Sequence, residues 1–65
     1  MRILVNGVWH ESSAAGLDLV LAELGYQDAV VSTAVNGEFV ATGARARTQL
    51  VNGDRVEVLA PMQGG

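Results

Sequence analysis

Sixty-five residues, 49% of them hydrophobic and 17% charged, suffice for one small folded domain and are too apolar for a disordered chain. There is no cysteine, so neither a disulfide nor a thiolate metal site can staple the fold, and the lone His10 cannot build a metal site by itself. Seven acidic residues against four arginines give a net charge of −3, which excludes the basic patch that nucleic acid demands. No apolar run approaches the roughly 18 residues of a membrane span and no signal-peptide pattern is present, so a soluble cytoplasmic protein is expected. The chain also lacks lysine, and so offers no side-chain amine as acceptor for an isopeptide bond.

In chain order, Met1 to Val5 and Val8 to Glu11 are β-prone runs joined by Asn6-Gly7, a hairpin signal because both turn positions need positive φ. Pairing Val5 with Val8 places Met1, Ile3, Val5, Val8 and His10 on one face, and Arg2, Leu4, Trp9 and Glu11 on the other. The small, polar stretch Ser12 to Gly16 leads into a helix. There Leu17, Val20, Leu21 and Leu24 form one stripe at i, i+3, i+4 and i+7. Asp18 complements the helix dipole, Gly25 suits the left-handed residue after the last turn, and Tyr26 can pack back over the end. A helix of about nine residues does not stand alone in water and must lie on a sheet.

Ala29 to Val35 reads as a third strand, turned by Asn36-Gly37 into the short run Glu38-Phe39-Val40, with Val31, Thr33 and Val35 inward. Gly43 to Thr48 reads as an irregular helical turn in which Arg45 and Arg47 are solvated, with Leu50 as its core anchor. Asn52-Gly53-Asp54 turns the chain into Arg55-Val56-Glu57-Val58-Leu59, an alternating strand that Ala60-Pro61 ends because proline cannot continue the ladder. Two hairpins flanking one helix, with a last strand returning between the first elements, describe a small α+β roll. The expected core is Ile3, Val5, Leu17, Val20, Leu21, Leu24, Val35, Val56 and Val58. Leu4, Trp9, Ala34, Phe39 and Leu59 avoid the helix-covered face by parity, and a cluster of apolar groups left in water marks a docking surface. The last strand places a fixed sheet edge behind about six extended residues, a reach of about 20 Å. That segment finishes in Gly64-Gly65, which can thread a channel too narrow for other residues and leaves the α-carboxylate unshielded.

These segments together resemble the ThiS-type sulfur carriers of thiamine biosynthesis, within the ubiquitin-like β-grasp family. The matching residues are Val5-Asn6-Gly7, the leucine-rich helix ending Leu24-Gly25, Val35-Asn36-Gly37-Glu38-Phe39-Val40, Gly53-Asp54-Arg55-Val56-Glu57-Val58 and Pro61-Met62-Gln63-Gly64-Gly65. Two features depart from the family's pattern: the Ser12 to Gly16 stretch lacks its usual apolar residue and threonine, and Trp9 replaces a small or polar residue. The resemblance implies a β-grasp roll over residues 1–59, a mixed sheet of four to five strands with one main helix on one face, and a flexible tail over residues 60–65.

The resemblance further implies a protein cosubstrate rather than an enzyme. A ThiF-type adenylyltransferase would use ATP to adenylate the Gly65 carboxylate, with Gly64, Gln63, Met62 and Pro61 recognised in its channel. A persulfide derived from a cysteine desulfurase would then convert the end to a thiocarboxylate for thiazole synthase of the ThiG type. The absence of cysteine agrees, since the chain has no thiol on which to hold sulfur. No catalytic, metal or bound-cofactor residue is expected: His10 and Glu11 are strand neighbours that face opposite sides. A diglycine end also suits the small subunit of molybdopterin synthase, carriers for cysteine or thionucleoside synthesis, and ubiquitin-like modifiers that attach to lysines. A plain binding module would not need it.

Overall fold

A computed structural model describes residues 1–60; the expectations for residues 61–65 lie outside the described residues. Five strands form one sheet: β1 (Arg2–Val5), β2 (Val8–Glu11), β3 (Ser32–Val35), β4 (Glu38–Val40) and β5 (Arg55–Leu59). A helix, α1 (Leu17–Glu23), follows β2, and a 3-10 helix (Thr42–Arg47) follows β4. The strand order is β2-β1-β5-β3-β4, with β5 parallel to β1 and antiparallel to β3, so the sheet is mixed. This is the β-grasp arrangement.

Local chemistry explains the turns. Asn6 and Asn36 adopt φ of 49° and 50°, and the glycines after them 82° and 85°, a pair of positive values that matches the right-handed twist of each hairpin. The α1 helix ends in a Schellman motif. Gly25, at φ 92°, donates its N–H to the Ala22 carbonyl, and Tyr26 donates to the Leu21 carbonyl at 2.9 Å.

The core cluster is Ile3, Val5, Leu17, Val20, Leu21, Leu50, Val56 and Val58, with Leu24, Tyr26, Val31 and Val35 packed against it. Alternation on β5 follows the sequence: Val56 and Val58 are buried while Arg55, Glu57 and Leu59 face out. Leu50 is seated because the chain around it pairs with the entry to the helix. Leu17 N–H reaches the Thr48 carbonyl at 2.9 Å, and Leu50 N–H reaches the Ala15 carbonyl at 2.8 Å.

Four expectations need correction. The third strand begins at Ser32, not Ala29, because pairing stops where Ser32 meets Leu59, the last residue of β5; beyond it Val30 is 81% exposed. Val8, although on the inward face by parity, is exposed because it sits at the outer edge of the sheet beyond the helix-covered part. The strand ahead of residues 60–65 is the centre of the sheet rather than its edge. Arg45 is not solvated: its Nε donates to Thr33 Oγ1 at 3.1 Å and its terminal nitrogen to the Val31 carbonyl at 2.7 Å. It thereby ties the 3-10 helix to the chain entering β3.

The Ser12–Gly16 stretch, whose apolar contact with the core is limited to the small Ala14, is fixed mainly by polar contacts. The Ser12 hydroxyl donates to one oxygen of Glu23 in the last turn of α1, and the Ser13 hydroxyl to the other at 2.6 Å. These bonds, Ser12 first, lower the Glu23 carboxyl below the ordinary carboxylate range, against a smaller opposing effect of desolvation. The folded chain thus binds this proton less tightly than the unfolded chain does, so the link stabilises above about pH 4.3 and weakens as pH falls through the lowered value. Replacing Glu23 with Gln should flatten the decline of the urea midpoint below about pH 4.3 relative to the unaltered chain. Parallel pH profiles for the two chains would remove Glu23 from the account.

Candidate functional site

The sheet has two unlike faces, and the helix-free one carries every described residue expected to meet a partner. Its layout follows from register. Leu4 lies beside Trp9 on one side and Arg55 on the other, and Ala34 lies between Glu57 and Phe39. Leu59 lies beside Ser32 at the end of β5. The apolar groups do not form one patch. Arg55 and Glu57, both outward on the central strand, separate a Trp9–Leu4 flank from a Phe39–Ala34–Leu59 flank.

Exposure sorts these residues further. Phe39 is 72% exposed, Leu59 64% and Trp9 48%, whereas Leu4 and Ala34 are half-buried between their neighbours. Neither Trp9 nor Phe39 wraps around an edge to join the core. Trp9 is instead covered by Arg2, whose guanidinium carbon stands 4.4 Å from the ring centroid, a cation–π contact worth about 0.5–1 kcal/mol at an exposed site. His10 is half-buried on the opposite face from the exposed Glu11, so the two do not meet. Among the described residues no cluster of histidine, aspartate or glutamate could hold a metal ion.

At the end of β5 lies a feature that sequence patterning missed. The last main-chain bond from the β1 side runs from Asn6 N–H to the Val56 carbonyl at 3.0 Å, and there β1 turns away. The Asn6 side chain continues the ladder. Its Nδ2 donates to the Val58 carbonyl at 3.0 Å, and its Oδ1 accepts from the Val58 N–H at 2.8 Å. Asn36 does the corresponding work at the start of β5, accepting from Arg55 N–H at 2.9 Å and donating to Asp54 Oδ1 at 3.0 Å. Asn52 Oδ1 accepts from the Arg2 N–H at 2.8 Å. The asparagines were legible as turn formers. The further signal was asparagine rather than aspartate at Asn6 and Asn36, since only an amide can both donate and accept.

The geometry is that of a central strand hydrogen-bonded on both sides up to Val58 and leading into Ala60 and the glycine-ended segment. The family model described as the ThiS family matches residues 2–65, almost the whole chain and all of that segment. The chain belongs to the ThiS family. This family consists of small sulfur carriers of thiamine biosynthesis, which are not enzymes. No curated protein matches the chain. Among solved structures, the crystal structure of the thiamine biosynthesis protein ThiS from Geobacter metallireducens is 32% identical, with each chain covered over 100% of its length and a TM-score of 0.83. A solution structure of a thiamine biosynthesis protein from the same organism is also 32% identical, covering 100% of this chain and 88% of that one, with a TM-score of 0.76.

Proposed function

We propose that this chain carries sulfur on the carboxyl group of Gly65. The observation that supports this reading best is the family match running through Gly65, on a fold whose central strand leads directly into that segment. The absence of cysteine supports it too, because no side chain can hold a sulfane sulfur.

The chemistry follows from the electrophile. An α-carboxylate, with a pKa of about 3.5, is ionised at neutral pH and resists nucleophiles. A ThiF-type adenylyltransferase would let a carboxylate oxygen attack the α-phosphorus of ATP, releasing pyrophosphate and leaving an acyl adenylate. A persulfide supplied through a cysteine desulfurase would attack the acyl carbon and expel AMP. A thiol would then cleave the resulting acyl disulfide by two-electron reduction, leaving the thiocarboxylate. Thiazole synthase would take the sulfur, and the free carboxylate would return to the cycle. Pro61, Met62, Gln63 and Gly64 would be held within the partner's channel, the diglycine because any Cβ would collide with its narrow walls.

The helix-free face would dock these partners through Leu4, Trp9, Ala34, Phe39 and Leu59, with Arg55 and Glu57 supplying charges between the two apolar flanks. Since Phe39 is largely exposed, Phe39→Ser should leave stability within about 0.5 kcal/mol while raising KM for the activating enzyme several-fold. An unchanged KM would take the β4 flank out of the docking surface.

Intact-protein mass spectrometry tests the reaction. With activating enzyme, ATP and a persulfide donor, the chain should exchange one oxygen for sulfur and gain about 16 Da. Gly64→Ala should fold normally and react about a hundredfold more slowly, since a misplacement near 1 Å in such a channel costs that much. Deleting Gly65 should abolish the gain. A chain without Gly65 that still gained sulfur would refute the carrier site.

A further inference from the structure

Asn6 occupies a position whose turn is satisfied by other residues. A positive φ of 49° followed by Gly7 is served equally by Asp-Gly or Gly-Gly. Yet its amide is used outside the turn, on the last stretch of β5. On the β3 side the ladder runs on, with Thr33 beside Val58 and Ser32 beside Leu59. On the β1 side it has no further strand, since the chain has left at Asn6-Gly7. There the two bonds from Asn6 to Val58 stand in for a full rung. Without them the end of β5 would be held from one side only, just ahead of the segment that carries Gly65.

We propose that Asn6 is a positioning residue for the reaction at Gly65, setting through Val58 the point and direction at which the sheet releases the glycine-ended segment. This rests on the sulfur-carrier reading above. The docking face is untouched by the clamp, because Asn6 grips main chain while Leu4, Phe39 and Leu59 present side chains. Loss of the clamp should therefore misplace the carboxylate inside a complex that still forms. A structural role alone would lower stability and leave turnover intact.

The fold holds its own control. Asn36 has nearly the same φ of 50°, is followed by a glycine and also makes two side-chain hydrogen bonds, but to Arg55 and Asp54 at the far end of β5. Asn6→Gly and Asn36→Gly each keep a turn residue that accepts positive φ and each lose two bonds. Both melting temperatures should fall, that of Asn6→Gly by more because its bonds are partly buried and those of Asn36 are exposed. Turnover rather than stability therefore separates the roles.

The test uses the full chain with its activating enzyme and follows exchange of labelled pyrophosphate into ATP. Asn6→Gly should lower kcat about tenfold with KM within about twofold, the split expected when orientation rather than docking is lost. Asn36→Gly should keep both constants. Asn6→Asp, which can accept from the Val58 N–H but cannot donate to its carbonyl when ionised, should fall between them. Equal kcat values for Asn6→Gly, Asn36→Gly and the unaltered chain would overturn the positioning role alone. No exchange with the unaltered chain would overturn the reading of Gly65 and the positioning role with it.

Discussion

The structure depends on the insertion of β5 between β1 and β3. Until that strand arrives, the chain is two separate hairpins, each with too little apolar surface to persist in water. Val56 and Val58 then bridge them beneath α1, joining Ile3 and Val5 from one hairpin to Thr33 and Val35 from the other. The pairings are long-range in sequence, Val5 with Val56 and Thr33 with Val58, the kind of contact that costs most loop-closure entropy to form. What is gained is a strand whose main chain is bonded on both sides almost to its last residue.

This arrangement serves a carrier. In the proposed reaction the Gly65 carboxyl enters another protein's active site while its base stays still, and a central strand is the stiffest place in a small sheet to attach it. Both faces are then free for separate tasks. The helix covers one and supplies stability. The other presents two apolar flanks around Arg55 and Glu57, the surface proposed above to dock partners. Arg2 over Trp9 covers part of the Trp9–Leu4 flank.

The turns, strands and helix stripe were legible because each is written in local chemistry. Positive φ at Asn-Gly, period-two alternation in Arg55 to Leu59 and the Leu17 to Leu24 spacing all state their structure within a few residues. The long-range uses of polar side chains were not legible. Nothing near Arg45 reveals that it will hold Thr33 and Val31, nor does the Ser12–Ser13 pair announce that its partner is Glu23 across the helix. Such contacts are products of the assembled topology. The apolar outer face was foreseen residue by residue, but its division into two flanks required the register of β5 against both neighbours.

The claim that β5 is the rigid support of the carrier end is tested most directly by native-state amide hydrogen exchange on the full chain. Val56 and Val58 N–H should exchange only through global unfolding, with the same opening free energy as Ile3 in β1. Trp9 and Phe39, whose amides face outward from the two edge strands, should exchange faster because no opening of the sheet is needed. Val58 exchanging as fast as the edge amides would contradict the account, because the strand would then open at its end while the rest of the sheet remained folded.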